Sequence, residues 1–106
     1  MDEFLCVTLF SHPGEPLPKF KTRLAEFWTH MIRNKPDDYE RVYCESREFE
    51  QDGARTIRQY MVEIAAWPVF EAELRALKMN HEPVDTADTY NRDEASTSEW
   101  FQIPHD

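Results

Sequence analysis

Residues 40–64 read ERVYCESREFEQDGARTIRQYMVEI, and the fold turns on how they are divided. Glu40 to Glu50 alternates apolar and polar side chains, the period-two signature of a half-buried strand. Gln51-Asp52-Gly53 follows, and Asp-Gly is the strongest short-range hairpin signal. Arg55 to Ile64 is then the returning strand.

Upstream, Glu3 to Ser11 holds Phe4, Leu5, Cys6, Val7, Thr8, Leu9 and Phe10, a short run of strand formers that reads as a central strand. Ser11-His12-Pro13-Gly14 is a turn cluster. Pro16 and Pro18 stand where a helix begins. Leu17, Phe20, Leu24, Phe27, Trp28, Met31 and Ile32 then step mostly by three and four, one face of a helix. Asn34 to Asp38, with Pro36, ends it.

Downstream, Ala66, Trp67 and Pro68 open a second helix with the stripe Phe70, Leu74 and Leu77, stopped near Met79 by Asn80 and Pro83. Asn80 to Glu99 is polar and reads as a loop, with a short helix at Thr86 to Ala95. Trp100 to Ile103 forms a last short strand. The order is βαββαβ, so the expected fold is α+β and ferredoxin-like. It is a four-stranded antiparallel sheet with both helices on one face, the first strand central and the second at an edge. The chain is one domain: a βαββα core at 1–79 and an acidic C-terminal segment at 80–106 that belongs to it.

Helices on one face leave the other open, and parity says what it carries. Leu5, Val7 and Leu9 face the helices, with Tyr60, Val62 and Ile64 on the third strand and Val42, Cys44 and Ser46 on the second. The open face then holds Phe4, Phe10, Tyr43, Phe49, Ile57 and Met61 among Glu45, Arg47, Gln59 and Glu63. An apolar patch of this size marks an interaction site. Its occupant is RNA stacked on the aromatics, a second copy of the chain, or the C-terminal segment folded back. The charge disfavours RNA, and a homodimer through this face is the favoured expectation.

These pieces resemble the dimeric α+β barrel superfamily of small ferredoxin-like proteins. Within it they resemble a family of about this length whose activity is unassigned. The resemblance rests on the opening strand and turn, the amphipathic first helix, and Tyr43 to Met61 with Glu45, Phe49, Asp52-Gly53 and Tyr60-Met61. It also rests on Asn80-His81-Glu82-Pro83-Val84-Asp85, similar to a His-Pro-aliphatic-Asp motif but with Glu82 inserted. The resemblance implies the fold and a dimer. The wider superfamily includes cofactor-free monooxygenases, haem-handling enzymes, isomerases and binding proteins, so fold does not choose among them.

Composition narrows the classes further. The 106 residues carry 21 acidic and 12 basic side chains, net −9, which argues against binding nucleic acid or an anionic membrane surface. Residues 1–79 carry 14 acidic against 11 basic side chains, whereas residues 80–106 carry seven acidic residues against Arg92 alone. The N-terminal stretch lacks the basic region of a signal peptide, and no apolar run approaches the roughly 18 residues of a membrane helix, so a cytoplasmic location is expected. Cys6 and Cys44, far apart and without a zinc-finger partner, read as buried reduced thiols.

His81, Glu82 and Asp85 cluster after the second helix and could supply a general base, although Asp85 as a helix cap is the commoner role. Beside His81 and Asp85, Tyr60 is a further catalytic candidate, as an acid or hydrogen-bond donor. His12, at the end of the first strand, lies at a common mouth for ligand sites. Phe4, Tyr43 and Met61 as apolar walls, with Glu45, Arg47, Gln59 and Glu63 as polar lining, would hold a small organic ligand between sheet and partner subunit. There is no glycine-rich phosphate loop, nucleophile elbow or two-histidine zinc helix motif. No metal or cofactor is expected. The leading expectation is therefore a ligand-binding homodimer. The alternatives are a cofactor-independent monooxygenase or isomerase, and an adaptor whose acidic C-terminal segment meets a basic partner.

Overall fold

The computed structural model describes residues 4–84 and 100–102. In chain order the elements are β1 (Phe4–Phe10), α1 (Leu17–Asn34), α2 (Pro36–Tyr39), β2 (Val42–Ser46), β3 (Glu50–Asp52) and β4 (Arg55–Glu63). A 3-10 turn (Ile64–Ala66), α3 (Trp67–Ala76), β5 (Asn80–Val84) and β6 (Trp100–Gln102) follow. The fold is α+β, with an open antiparallel sheet in the order β5-β1-β4-β2-β6. Ile57 pairs with Phe10 on one side and Glu50 on the other, so short β3 runs along the β2 side of β4.

α1 starts at Leu17 without a side-chain cap; the amides of Lys19 and Phe20 donate to the Pro16 carbonyl instead. It stops at Asn34 because Lys35 precedes Pro36, and a residue before proline avoids helical geometry. Its buried stripe is Phe20, Leu24, Phe27 and Met31, which joins Phe70 and Leu74 of α3 over Leu5, Val7, Leu9, Val42, Tyr60 and Val62. Both helices thus cover one sheet face. Trp28 sits at the centre of this layer, its ring 4.9 Å from Phe27, 4.8 Å from Tyr60 and 5.9 Å from Phe70. Among the described residues no helix is long and apolar enough to cross a membrane.

Four expectations need correction. The sheet has five strands side by side rather than four, because Asn80–Val84, read from sequence as loop, is a strand beside β1. Pro83 is tolerated there because β5 is an edge strand, where a missing N–H need not break a ladder. The final strand therefore docks on β2 at the opposite edge.

The expected strand from Glu40 to Glu50 is two strands with a β-bulge. Val42 pairs with Val62 but Cys44 with Met61, so Tyr43 is an extra residue in β2. The bulge reverses the expected parity: Cys44 joins Phe4, Cys6 and Met61 on the face away from the helices, and Glu45 turns to the helix side opposite Tyr60. Phe49, also expected on the open face, packs against Phe20 in the helix-side core, ring centroids 6.0 Å apart. Finally, Ile64 belongs to the 3-10 turn and is exposed, as is Leu77, so neither joins the core. The Thr86 to Ala95 helix and Ile103 lie outside the described residues.

The face expected to need a second copy to cover it is already buried at its centre. Phe4, Cys6, Cys44 and Met61 are each 5% exposed or less within a single chain, with Tyr43 packed against them.

α3 ends in a Schellman motif: the Met79 amide donates to the Leu74 carbonyl at 2.8 Å and the Lys78 amide to Arg75 at 3.1 Å. Met79 and Leu74 share the core, the apolar contact that accompanies this cap. Its left-handed position is occupied by Lys78 at φ 56°, where glycine is the unstrained residue. Exposed Lys78→Gly is therefore expected to raise stability by about 0.5–1 kcal/mol in urea unfolding; an unchanged or lower midpoint contradicts this assignment.

Candidate ligand-binding site

The residues expected to form one site are distributed over three places. Phe4, Tyr43 and Met61 do gather on the face away from the helices, with Phe4 and Tyr43 rings 5.5 Å apart. Cys6 and Cys44 flank Met61 there on the two neighbouring strands, both free. Burial pushes their thiols up to about 11 and about 12, so at neutral pH they are protonated and poor nucleophiles. Gln59 lies half-buried on β4, its amide donating to Ser46 Oγ. Glu63, at the end of β4, pairs with Arg41 at 3.3 Å, and Arg47 is exposed beyond β2.

The catalytic candidates do not converge. Tyr60 is 1% exposed in the helix-side core, and burial raises its phenol well above the ordinary tyrosine value. His81 lies on β5 with Nδ1 3.3 Å from the Met79 carbonyl oxygen and Nε2 3.8 Å from Glu71. Tyr60 pairs with Val7 and His81 with Leu9, which puts them two strands and two residues apart, roughly 12 Å by strand spacing. Asp85 lies outside the described residues. Among the described residues, no group of three or more His, Cys, Asp or Glu could hold a metal ion.

His12 belongs to a structural cluster instead. Its amide donates to Glu15 Oε1 at 2.9 Å, and its Nδ1 lies 2.9 Å from Asn80 Nδ2. Arg23 grips Glu15 with two parallel bonds of 2.8 Å each. The cluster ties the turn after β1 to α1 and to the start of β5. The Arg23 guanidinium holds the Glu15 carboxyl down at about 2, helped by the His12 amide and against the effect of burial.

The bulge and the hairpin build a different site, a groove between α1 and β2–β4. Lys21, Leu24, Ala25 and Trp28 line one wall at helical spacing, and Glu45, Phe49, Arg58 and Tyr60 line the other, enclosing about 320 Å³. That volume suits a ligand of about one ring. The space inside the core, by contrast, is a void of about 10 Å³ between Trp28, Tyr60, Trp67 and their neighbours, at the limit for a single water. In the groove, Arg58 lies over the Phe49 ring at 4.5 Å and Lys21 at 5.1 Å. Glu45 Oε1 stands 3.4 Å from Arg58 Nη2. The buried Trp28 indole N–H makes no well-aligned hydrogen bond among the described residues, though its contact with the Tyr60 phenol opposes the effect of burial there.

Of these lining residues only Glu45 and Tyr60 were expected at a site, and Lys21 and Arg58 were missed. Arg58 carried a signal: it shares the parity of Tyr60 and Val62, so a cation was due on the helix-facing side of β4. Comparison of the chain with known protein families, characterised proteins and solved structures finds no match.

The Glu15 pair has a pH consequence of defined sign. A carboxyl lowered from 4.5 to about 2 stabilises the fold above pH 4.5, and that stability drains away as pH falls towards 2. With the Glu15 side chain only 3% exposed, the contribution at pH 7 is of the order of 3 kcal/mol. Glu15→Gln is expected to lower stability at pH 7 and to flatten the acid limb; an unchanged stability–pH curve excludes this role.

Proposed function

We propose that this chain is a binding domain that takes a small organic ligand into the α1/β2–β4 groove. The observation that carries this is the pairing of an open apolar groove with two cations over the Phe49 ring. Pockets that hold small molecules combine such apolar walls with a few placed polar groups. We read the frame as ferredoxin-like, because the order β5-β1-β4-β2 with α1 and α3 over one face matches that arrangement. β6 is then an added edge strand.

This reading places the ligand within one chain. The central apolar residues of the opposite face are already buried without a second copy, which weakens the motive for a ligand held between two subunits. Pairing of two copies remains a separate proposal, supported by half-buried Tyr43 and Ile57 on that face. The monooxygenase or isomerase alternative needs Tyr60 and His81 at a common cavity, and their separation does not support it.

A titration of the labelled protein with single-ring aromatic probes, neutral and charged, tests the proposal by nuclear magnetic resonance. Shifts are expected at the Trp28 indole and the amides of Lys21, Ala25 and Arg58. Phe49→Ala should weaken binding about tenfold through loss of the ring surface. Shifts centred on Cys6 and Met61, or none up to millimolar probe, contradict it.

A further inference from the structure

Two sheltered Arg–Glu pairs among the described residues are built to different standards. Arg23 and Glu15 form a closed fork with two bonds of 2.8 Å, which leaves little for a third party. Arg58 is equally sheltered, its side chain 16% exposed, yet among the described residues its only hydrogen bond runs from Nε–H to the Ser46 carbonyl at 3.1 Å. The Glu45 carboxylate stands 3.4 Å from Nη2, longer than the roughly 2.7–2.9 Å of a charge-assisted bond. The terminal N–H groups of this guanidinium thus have no close acceptor among the described residues, and they are not sealed from solvent, so they are free to take one from a ligand.

Lys21 adds to this. Its ammonium stands over Phe49 and forms no ion pair among the described residues. In a chain of net charge −9, two cations against one loosely held carboxylate make this groove a local positive site. Its walls are the Leu24 side chain and the Phe49 and Trp28 rings, so the occupant needs an apolar flat body as well as a negative head.

Building on the groove reading above, we infer that the ligand is a small organic acid. Its carboxylate takes the terminal N–H groups of Arg58, with Lys21 closing from α1. Its single-ring body lies against Phe49, Leu24 and Trp28. Glu45 is the resident competitor: it holds Arg58 in place when the groove is empty and yields when a ligand carboxylate enters. Carboxylate is the fitting head group because a guanidinium fork matches its two oxygens in one plane.

Three matched probes test this: 3-phenylpropionate, 3-phenylpropanamide and 3-phenylpropylamine, titrated into the full chain with shifts read at Trp28, Lys21 and Arg58. The acid is expected to bind about tenfold or more tighter than the amide, and the amine weakest. That preference should fall with added salt, vanish in Arg58→Gln with amide binding kept, and grow in Glu45→Gln. If Arg58→Gln does not fold, exposed Lys21→Gln serves, with the preference reduced in part. Equal binding of acid and amide in the groove overturns the inference and leaves the groove reading standing. Binding of none of the three overturns both.

Discussion

Side chains on a β-strand alternate between faces, and the β2–β4 pair breaks that alternation once, at Tyr43. Everything C-terminal to Tyr43 on β2 changes side as a result. Cys44 moves to the sulfur-rich cluster with Cys6 and Met61, and Glu45 moves under α1 beside Arg58. β2 then ends at Ser46, whose carbonyl and hydroxyl accept from Arg58 and Gln59 and so fix the end of the ladder. The chain that follows brings Phe49 back against Phe20. The wall of the groove that faces α1 thus depends on a single inserted residue.

The polar groups divide by how fully they are satisfied. The Glu15 carboxylate accepts from Arg23 Nε and Nη2 and from the His12 amide, and its depressed titration is the electrostatic sign of that closure. Around Arg58 the geometry is loose, although the two guanidiniums are similarly shielded from water. Stability alone favours the closed arrangement, in which both charges find close bonded partners within the fold. The contrast within one chain is what motivates reading the first as a structural pair and the second as the proposed recognition site.

Much of the fold was legible because its signals were local. The α1 stripe from Phe20 to Met31, the Asp52-Gly53 turn and the apolar β1 run each carry their own periodicity or turn chemistry. β5 was not legible: five residues containing Asn80, Glu82 and Pro83 have no strand pattern, and their ladder with β1 is a tertiary fact. The bulge was hidden for a related reason, since Tyr43 is a good strand former and no glycine or proline marks it. That one miss carried Glu45 and Phe49 to the wrong face. Arg58 was within reach of simple parity, whereas the Glu15–Arg23 fork joins residues in a turn and a helix whose approach only the folded backbone sets.

The central claim is that the Tyr43 bulge turns Glu45 into the groove beneath α1. Side-chain nuclear Overhauser contacts from residues 44 and 45 test it most directly. The structure predicts contacts from Glu45 to the Leu24–Trp28 wall and from Cys44 to Met61. Contacts from Cys44 to that wall, with Glu45 beside Met61, would mean an unbroken strand and would contradict the account.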